Sequence, residues 1–273
     1  MVVTLSAFGD EIGPTLTEQI QALVREGIRF VEVRSVNHTN IAELTEPEVD
    51  AMREALDAAG IGVSAIGSPI GKSLITEDEG VFRARFLRIL DYAQRLGTAR
   101  VRVFSFYLPE PSPETYRPRI LDRFLWMVDR AAQKGITLLH ENEKGIYGDT
   151  PERCLDLLNA VAAPTLRAVF DPANFIQVGV RPFPDAYHIL QDHIAYVHVK
   201  DARFADGGVC VAGAGDGRWD DLVAALAAHQ FEGFFSLEPH LAAGSEPGGG
   251  AAKFHEAARA LKSLLAQQDV EVR

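Results

Sequence analysis

The chain is predicted to be a single-domain α/β protein, a (β/α)8 (TIM) barrel, on three observations. Glycines that end helices are followed at once by short apolar strands. Strand and helix alternate strictly, and 273 residues suits eight such units. The pattern is clearest at Gly27, Gly60, Gly97 and Gly135, which lie 33, 37 and 38 residues apart. That spacing is about one βα unit. Glycine supplies the left-handed residue that closes a helix, and an unbroken apolar run is what a strand covered on both faces looks like. A further copy is expected at Gly233, before FFSLE.

Filling the gaps places strands near 3–7, 29–34, 61–67, 100–105, 136–141, 166–170, 194–199 and 233–238. Helices are expected near 15–26, 47–59, 78–96, 114–134, 151–161, 183–191, 218–229 and 251–266. Phe82, Phe86, Ile89, Leu90 and Ala93 make one apolar helix face. Thr150-Pro151 reads as an N-cap followed by proline in the first turn. No linker divides residues 1–273, and the tail after about 266 is expected to fray. Residues 244–250 (GSEPGGG) are either a lid at the barrel mouth or a plain connector. The glycines of 213–217 follow the seventh strand, not a first one, so they are no dinucleotide fingerprint.

Composition narrows the function classes. The hydrophobic share is 47%, the charged share 24% and the net charge −11. A surface that neutralises nucleic-acid phosphates leans the other way. Two cysteines, Cys154 and Cys210, are too few for a disulfide framework and have no metal-type spacing. The first residues have no basic, apolar signal pattern, and no run reaches a membrane span. A cytoplasmic protein is expected.

In a barrel the C-terminal ends of the strands carry the chemistry. The fifth strand ends in His140-Glu141-Asn142, the sixth in Phe170-Asp171, the seventh in His198-Val199-Lys200-Asp201 and the eighth in Leu237-Glu238-Pro239-His240. Four adjacent strands thus deliver Glu141, Asp171, His198 and Glu238 to one level. Three converging carboxylates repel, and a divalent cation removes that cost. Hard oxygen donors with one nitrogen suit Mn²⁺ best, with Mg²⁺, Co²⁺ or Zn²⁺ as alternatives.

Around this set, Glu32 and Arg34 either bind substrate hydroxyls or form a structural ion pair. Lys200 shares the parity of His198 and is a substrate contact; Asp201 has the opposite parity and pairs or caps. His140 points away from the axis by the same rule. Arg203, His240, Ser68, Ser105 and Lys72 are further candidates for substrate binding. Phe8, Phe106, Tyr107, Phe175 and Trp219 either wall the pocket or belong to the core.

These residues resemble the xylose isomerase-like barrels, a family of sugar phosphate isomerases and epimerases that includes ketose 3-epimerases, hydroxypyruvate isomerases and inosose dehydratases. The segments that carry the likeness are Phe8-Gly9-Asp10-Glu11, Leu139-His140-Glu141-Asn142, Phe170-Asp171-Pro172-Ala173-Asn174, Tyr196 to Asp201, the 213–219 loop and Ser236-Leu237-Glu238. The resemblance implies a metal site of Glu141, Asp171, His198 and Glu238. It also implies that Glu141 and Glu238 are the catalytic acid/base pair. The family often has histidine three residues after the sixth-strand Asp; here Asn174 stands there. An amide can bond a substrate hydroxyl but cannot titrate.

The implied substrate is a small sugar, keto-polyol or hydroxy-keto acid. A metal-polarised carbonyl acidifies the neighbouring C–H, and a carboxylate removes the proton to give an enediolate. Reprotonation gives an epimer or an aldose–ketose isomer; loss of hydroxide gives a dehydratase of the inosose type. A non-catalytic sugar-binding barrel is a rival. So is an apurinic endonuclease-like enzyme, which the acidic charge and the few well-placed histidines oppose. Related barrels often form homo-oligomers.

Overall fold

The computed structural model describes residues 1–110, 112–241 and 249–273. Eight parallel strands form the barrel: β1 (Val2–Ala7), β2 (Phe30–Val33), β3 (Gly62–Ile66), β4 (Arg100–Val103), β5 (Thr137–Glu141), β6 (Leu166–Phe170), β7 (Ile194–Val199) and β8 (Glu232–Leu237). Each pairs with its chain neighbour from β2 to β8, and β8 pairs with β1 from Val2↔Glu232 to Ala7↔Leu237. A parallel bridge between Phe8 and Glu32 closes the ring between β1 and β2.

The expected helix terminators hold in detail. Gly27, Gly60, Gly97 and Gly135 take φ of +69°, +67°, +70° and +67°. The fifth copy differs. Gly233 lies inside β8, and Gln230 (φ +56°) supplies the left-handed residue after Trp219–Ala228. Gly233 is required for space: a Cβ there would sit 2.6 Å from the Phe231 ring and 2.9 Å from the Ala195 carbonyl oxygen. Helix starts follow capping chemistry. Thr15 and Glu18 form a capping box before Leu16–Glu26, and Thr150 caps Pro151–Val161.

Some pieces differ from expectation. A short helix, Pro172–Ile176, follows β6 directly. The helix expected at 183–191 is instead a turn with a cis Phe183-Pro184 peptide, then the single turn Tyr187–Leu190. The tail expected to fray after about 266 adds Glu271–Val272 in parallel to Val2–Val3. The suggested lid at 244–250 falls largely outside the described residues. No helix among the described residues is long and apolar enough to cross a membrane.

Period-two alternation sets the level of the site. Leu139, Val169 and Tyr196 pack together inside the barrel with Phe234 against them. Two residues further on, toward the strand C-termini, come Glu141, Asp171, His198 and Ser236, with Glu238 one more step beyond Ser236. An apolar layer therefore floors a polar one.

Candidate metal centre

The structure brings Glu141, Asp171, His198 and Glu238 together. One potential donor atom from each lies within 4.8 Å of the other three, and all four residues are buried. His198 Nδ1 is 3.1 Å from Glu141 Oε1, 3.5 Å from Glu238 Oε2 and 4.0 Å from Asp171 Oδ2. Yet Nδ1, Glu141 Oε2 and Asp171 Oδ2 are buried without a hydrogen-bond partner. Polar atoms left unpartnered in a dry pocket are costly, and a cation among them removes that cost. Carboxylate oxygens with one imidazole nitrogen fit a divalent ion, so the residues present fit the group.

The surroundings hold each of the four side chains in place. Asp171 N-caps the short helix after β6 by accepting from Asn174 N at 2.9 Å. Asn142 exchanges hydrogen bonds with the Asp171 backbone. Asn174 Nδ2 donates to Glu141 Oε1 at 3.2 Å and to Asn142 O at 2.9 Å. Both amide protons are thus committed, which leaves Oδ1 for any substrate hydroxyl. Lys200 Nζ donates to Glu238 Oε2 at 3.1 Å and lies 2.8 Å from Asp171 Oδ2.

Two basic groups in this shell were not anticipated in these roles. Arg102, 3% exposed, places Nη1 3.2 Å from Glu141 Oε2. Its Nη2 donates to the Gly67 and Ser68 carbonyls. The signal was present: in Arg100-Val101-Arg102-Val103 the valines face the helices, so the arginines face inward. Arg34 spans Asp10 (2.7 Å), Glu11 (2.5 Å) and Glu238 Oε1 (2.7 Å). His240, with φ +43°, adds contacts to Glu11 (3.1 Å) and Glu238 (3.3 Å). Asp10 and Glu11 follow β1 in a short turn that period-two reasoning does not reach.

Other candidates are placed elsewhere. Glu32 does not pair with Arg34; its Oε2 lies 3.3 Å from His198 Nε2, at no solvent exposure. The Ser68 hydroxyl donates to Arg102 O, and the Ser105 hydroxyl takes Gly148 N and meets His140 Nε2, so both are committed. Arg203 is exposed beside the hairpin Asp201–Ala202/Val209–Cys210, apart from the cluster. Lys72 pairs with Glu143 at 3.0 Å. Phe106, Phe175 and Trp219 are core residues, whereas the Phe8 ring meets His198 edge-on at 5.1 Å. Tyr107 lies on a short bridge to Leu74 and Ile146. Asp201 accepts backbone N–H bonds from Ala202, Gly213, Gly215 and Gly217, and so ties down the glycine loop.

The electrostatics follow from burial and neighbours. Burial pushes the Glu141 carboxyl up, but His198 and Arg102 outweigh it and bring it down to about 2. Burial also raises Glu238, and Lys200 and His240 outweigh it and hold it well below the usual carboxylate range. Asp171 is raised to about 6 by burial, against the opposing pull of Lys200. His198 would be lowered by burial, but Glu141 and Glu32 raise it to about 10.

His140 sits behind this site, edge-on to Phe124, and burial lowers its pKa from 6.5 to about 4. A depressed folded-state pKa contributes stability that is complete above pH 6.5 and is lost as pH falls toward 4. The loss by pH 4 is about 3 kcal/mol. Asp171, raised to about 6, acts with the opposite sign in metal-free protein. The comparison is therefore with His140→Gln, in which Asp171 is unchanged. Urea unfolding at pH 7 and pH 4 should show wild type losing about 3 kcal/mol more than the variant; parallel behaviour refutes the assignment.

Residues 20–264 match the model of the xylose isomerase-like TIM barrel family, and the chain belongs to that family. Solved structures of the same fold include the IOLI protein with a bound zinc atom. It is 16% identical, with 97% of this chain and 99% of that chain covered and a TM-score of 0.79. A D-tagatose 3-epimerase-like protein is 18% identical over 97% and 99% of the two chains, TM-score 0.74. AsbF of Bacillus anthracis, described as the probable 3-DHS dehydratase of petrobactin synthesis, is 18% identical over 96% and 99%, TM-score 0.74. No curated protein matches the sequence.

Proposed function

We propose that this protein is a divalent-metal-dependent isomerase or epimerase of a small sugar or keto-polyol. The observation that carries the reading is the buried quartet of Glu141, Asp171, His198 and Glu238, in which His198 Nδ1, Glu141 Oε2 and Asp171 Oδ2 lack hydrogen-bond partners. These four residues would hold the ion, with Mn²⁺ the best match to the donor set. When bound, the ion supplies Lewis-acid polarisation of a substrate carbonyl and its adjacent hydroxyl.

The chain's own residues supply the rest. Glu141 is kept ionised by Arg102 and His198 and oriented by Asn174, so it is poised as a base. Glu238 is held by Arg34, Lys200 and His240 and serves as the second acid/base group. A proton taken by one and returned by the other at the same carbon inverts that centre; return at the neighbouring carbon gives the isomer. The burial of both carboxylates excludes water from the deprotonated intermediate. Likeness to an epimerase-like barrel and to a zinc-containing one supports the reading.

Lys200 favours a second outcome on the same site. Its ammonium lies beside both Asp171 and Glu238, where its positive charge would stabilise a departing hydroxide. The likeness to AsbF points the same way.

A panel of ketoses, hydroxypyruvate and inososes, assayed with Mn²⁺ in D₂O, tests both. Turnover of at least one compound is expected. Deuterium appears at the carbon next to the carbonyl for isomerisation or epimerisation, and water is lost for dehydration. Protein that binds Mn²⁺ yet neither converts nor exchanges any member refutes the proposal.

A further inference from the structure

Glu32 is the anomaly of the barrel interior. It has no solvent exposure, and neither carboxylate oxygen has an aligned hydrogen-bond donor. A buried carboxylate without a clear partner costs several kcal/mol, so its position demands a reason. The fold holds it firmly: its backbone bridges to Phe8 where β1 and β2 close the ring. On the other side the β2–β3 register slips by one residue between Val31 and Glu32. Its near neighbours in the interior include the Tyr196 hydroxyl, which is shared with Ser64 at 2.9 Å. The closest basic group is His198 Nε2, 3.3 Å from Oε2.

The two ring nitrogens of His198 therefore face different worlds. Nδ1 looks into the quartet; Nε2 looks down at Glu32. Phe8 and Tyr196 pack edge-on against the ring at 5.1 and 5.8 Å and keep it from flipping. We propose that Glu32 is a positioning residue for the metal: it keeps a proton on His198 Nε2, so that Nδ1 is the nitrogen that gives up its proton to the ion. Without that carboxylate, either ring nitrogen could keep the remaining proton, and a proton kept on Nδ1 would block the ion. A carboxylate behind a ligating histidine also makes it a stronger donor, and losing such a partner typically weakens metal binding 10–100-fold. This inference rests on the metal reading given above, but it concerns a residue outside the ligand set.

The test is Mn²⁺ affinity, by calorimetry on wild type, Glu32→Leu and Glu32→Gln, with circular dichroism to check folding. Glu32→Leu should bind Mn²⁺ about 10–100-fold more weakly. Glu32→Gln, close in shape and still able to accept the Nε2 proton, should recover part of that loss. A leucine variant that binds within twofold of wild type overturns the proposal, as does a glutamine variant as weak as leucine. ¹⁵N NMR of the zinc-loaded wild type needs no variant: the metal should be on Nδ1 and the proton on Nε2, and the reverse assignment overturns the proposal. Wild type that binds neither ion sinks the metal reading itself; wild type that binds while Glu32 makes no difference sinks only this one.

Discussion

Glu141→Gln should lower turnover at saturating Mn²⁺ by about 1,000-fold or more, within the range that a positioned acid/base group contributes. The substitution is nearly isosteric, so the barrel should persist. What changes is charge. Gln cannot take a proton, and it leaves the buried Arg102 guanidinium, now 3.2 Å from Glu141 Oε2, facing a neutral amide. Removing one partner of a buried ion pair costs about 3–5 kcal/mol, so a lower melting temperature should accompany the lost activity. Metal affinity should fall too, because Glu141 belongs to the quartet. Kinetics and metal content must therefore be read together. If Glu141→Gln, fully loaded, keeps kcat within tenfold of wild type, Glu141 is not the base. Glu238→Gln is the companion measurement. Deuterium exchange separates the two roles: if Glu141 alone abstracts the proton, Glu238→Gln still exchanges solvent deuterium into the substrate while net conversion stops.

How far the sequence leads depends on which physical rule places a residue. Glu141, Asp171 and His198 were legible because alternation along a strand fixes the face a side chain takes, and each stands two residues above a layer of the barrel core. His140 was legible for the same reason, by opposite parity. Glu32 obeyed the rule yet does not pair with Arg34, because parity gives the face but not the depth. Its level was set by the register slip between β2 and β3 and by ring closure at Phe8. Arg102 was overlooked because an arginine in an apolar run reads as an interruption; the alternating valines beside it show an inward charge. Asp10, Glu11 and His240 meet Arg34 only because turns after β1 and β8 fold over the same rim. Turn geometry of that kind has no period to read. The Ser68 and Ser105 hydroxyls show how a hydroxyl at a strand end meets backbone first, here Arg102 O and Gly148 N.

Stripping the metal should abolish turnover and lower the melting temperature, but it should not unfold the protein. An ion present at 1,000 times its dissociation constant stabilises the native state by about 4 kcal/mol. For a chain of this size, that corresponds to a shift of about 8 °C. The pocket explains why the loss stops there. Without the ion, Lys200 still lies between Asp171 and Glu238, Arg34 still grips Glu238, and Arg102 still faces Glu141. Each buried carboxylate thus keeps a cation of the chain's own, so repulsion among them is damped, not released. His198 responds to the same field: with carboxylates around it and no divalent charge, it is driven toward the protonated form. Metal binding must therefore displace a proton from His198, and affinity should rise with pH over the range where the ring titrates. Scanning calorimetry with and without chelator, at pH 6 and pH 8, reads both effects at once. The expected result is a reversible drop on chelation that is larger at pH 8. Turnover and melting temperature that ignore the chelator at both pH values would mean that Lys200, Arg34 and Arg102 are the permanent counter-ions of the quartet and that no metal works there.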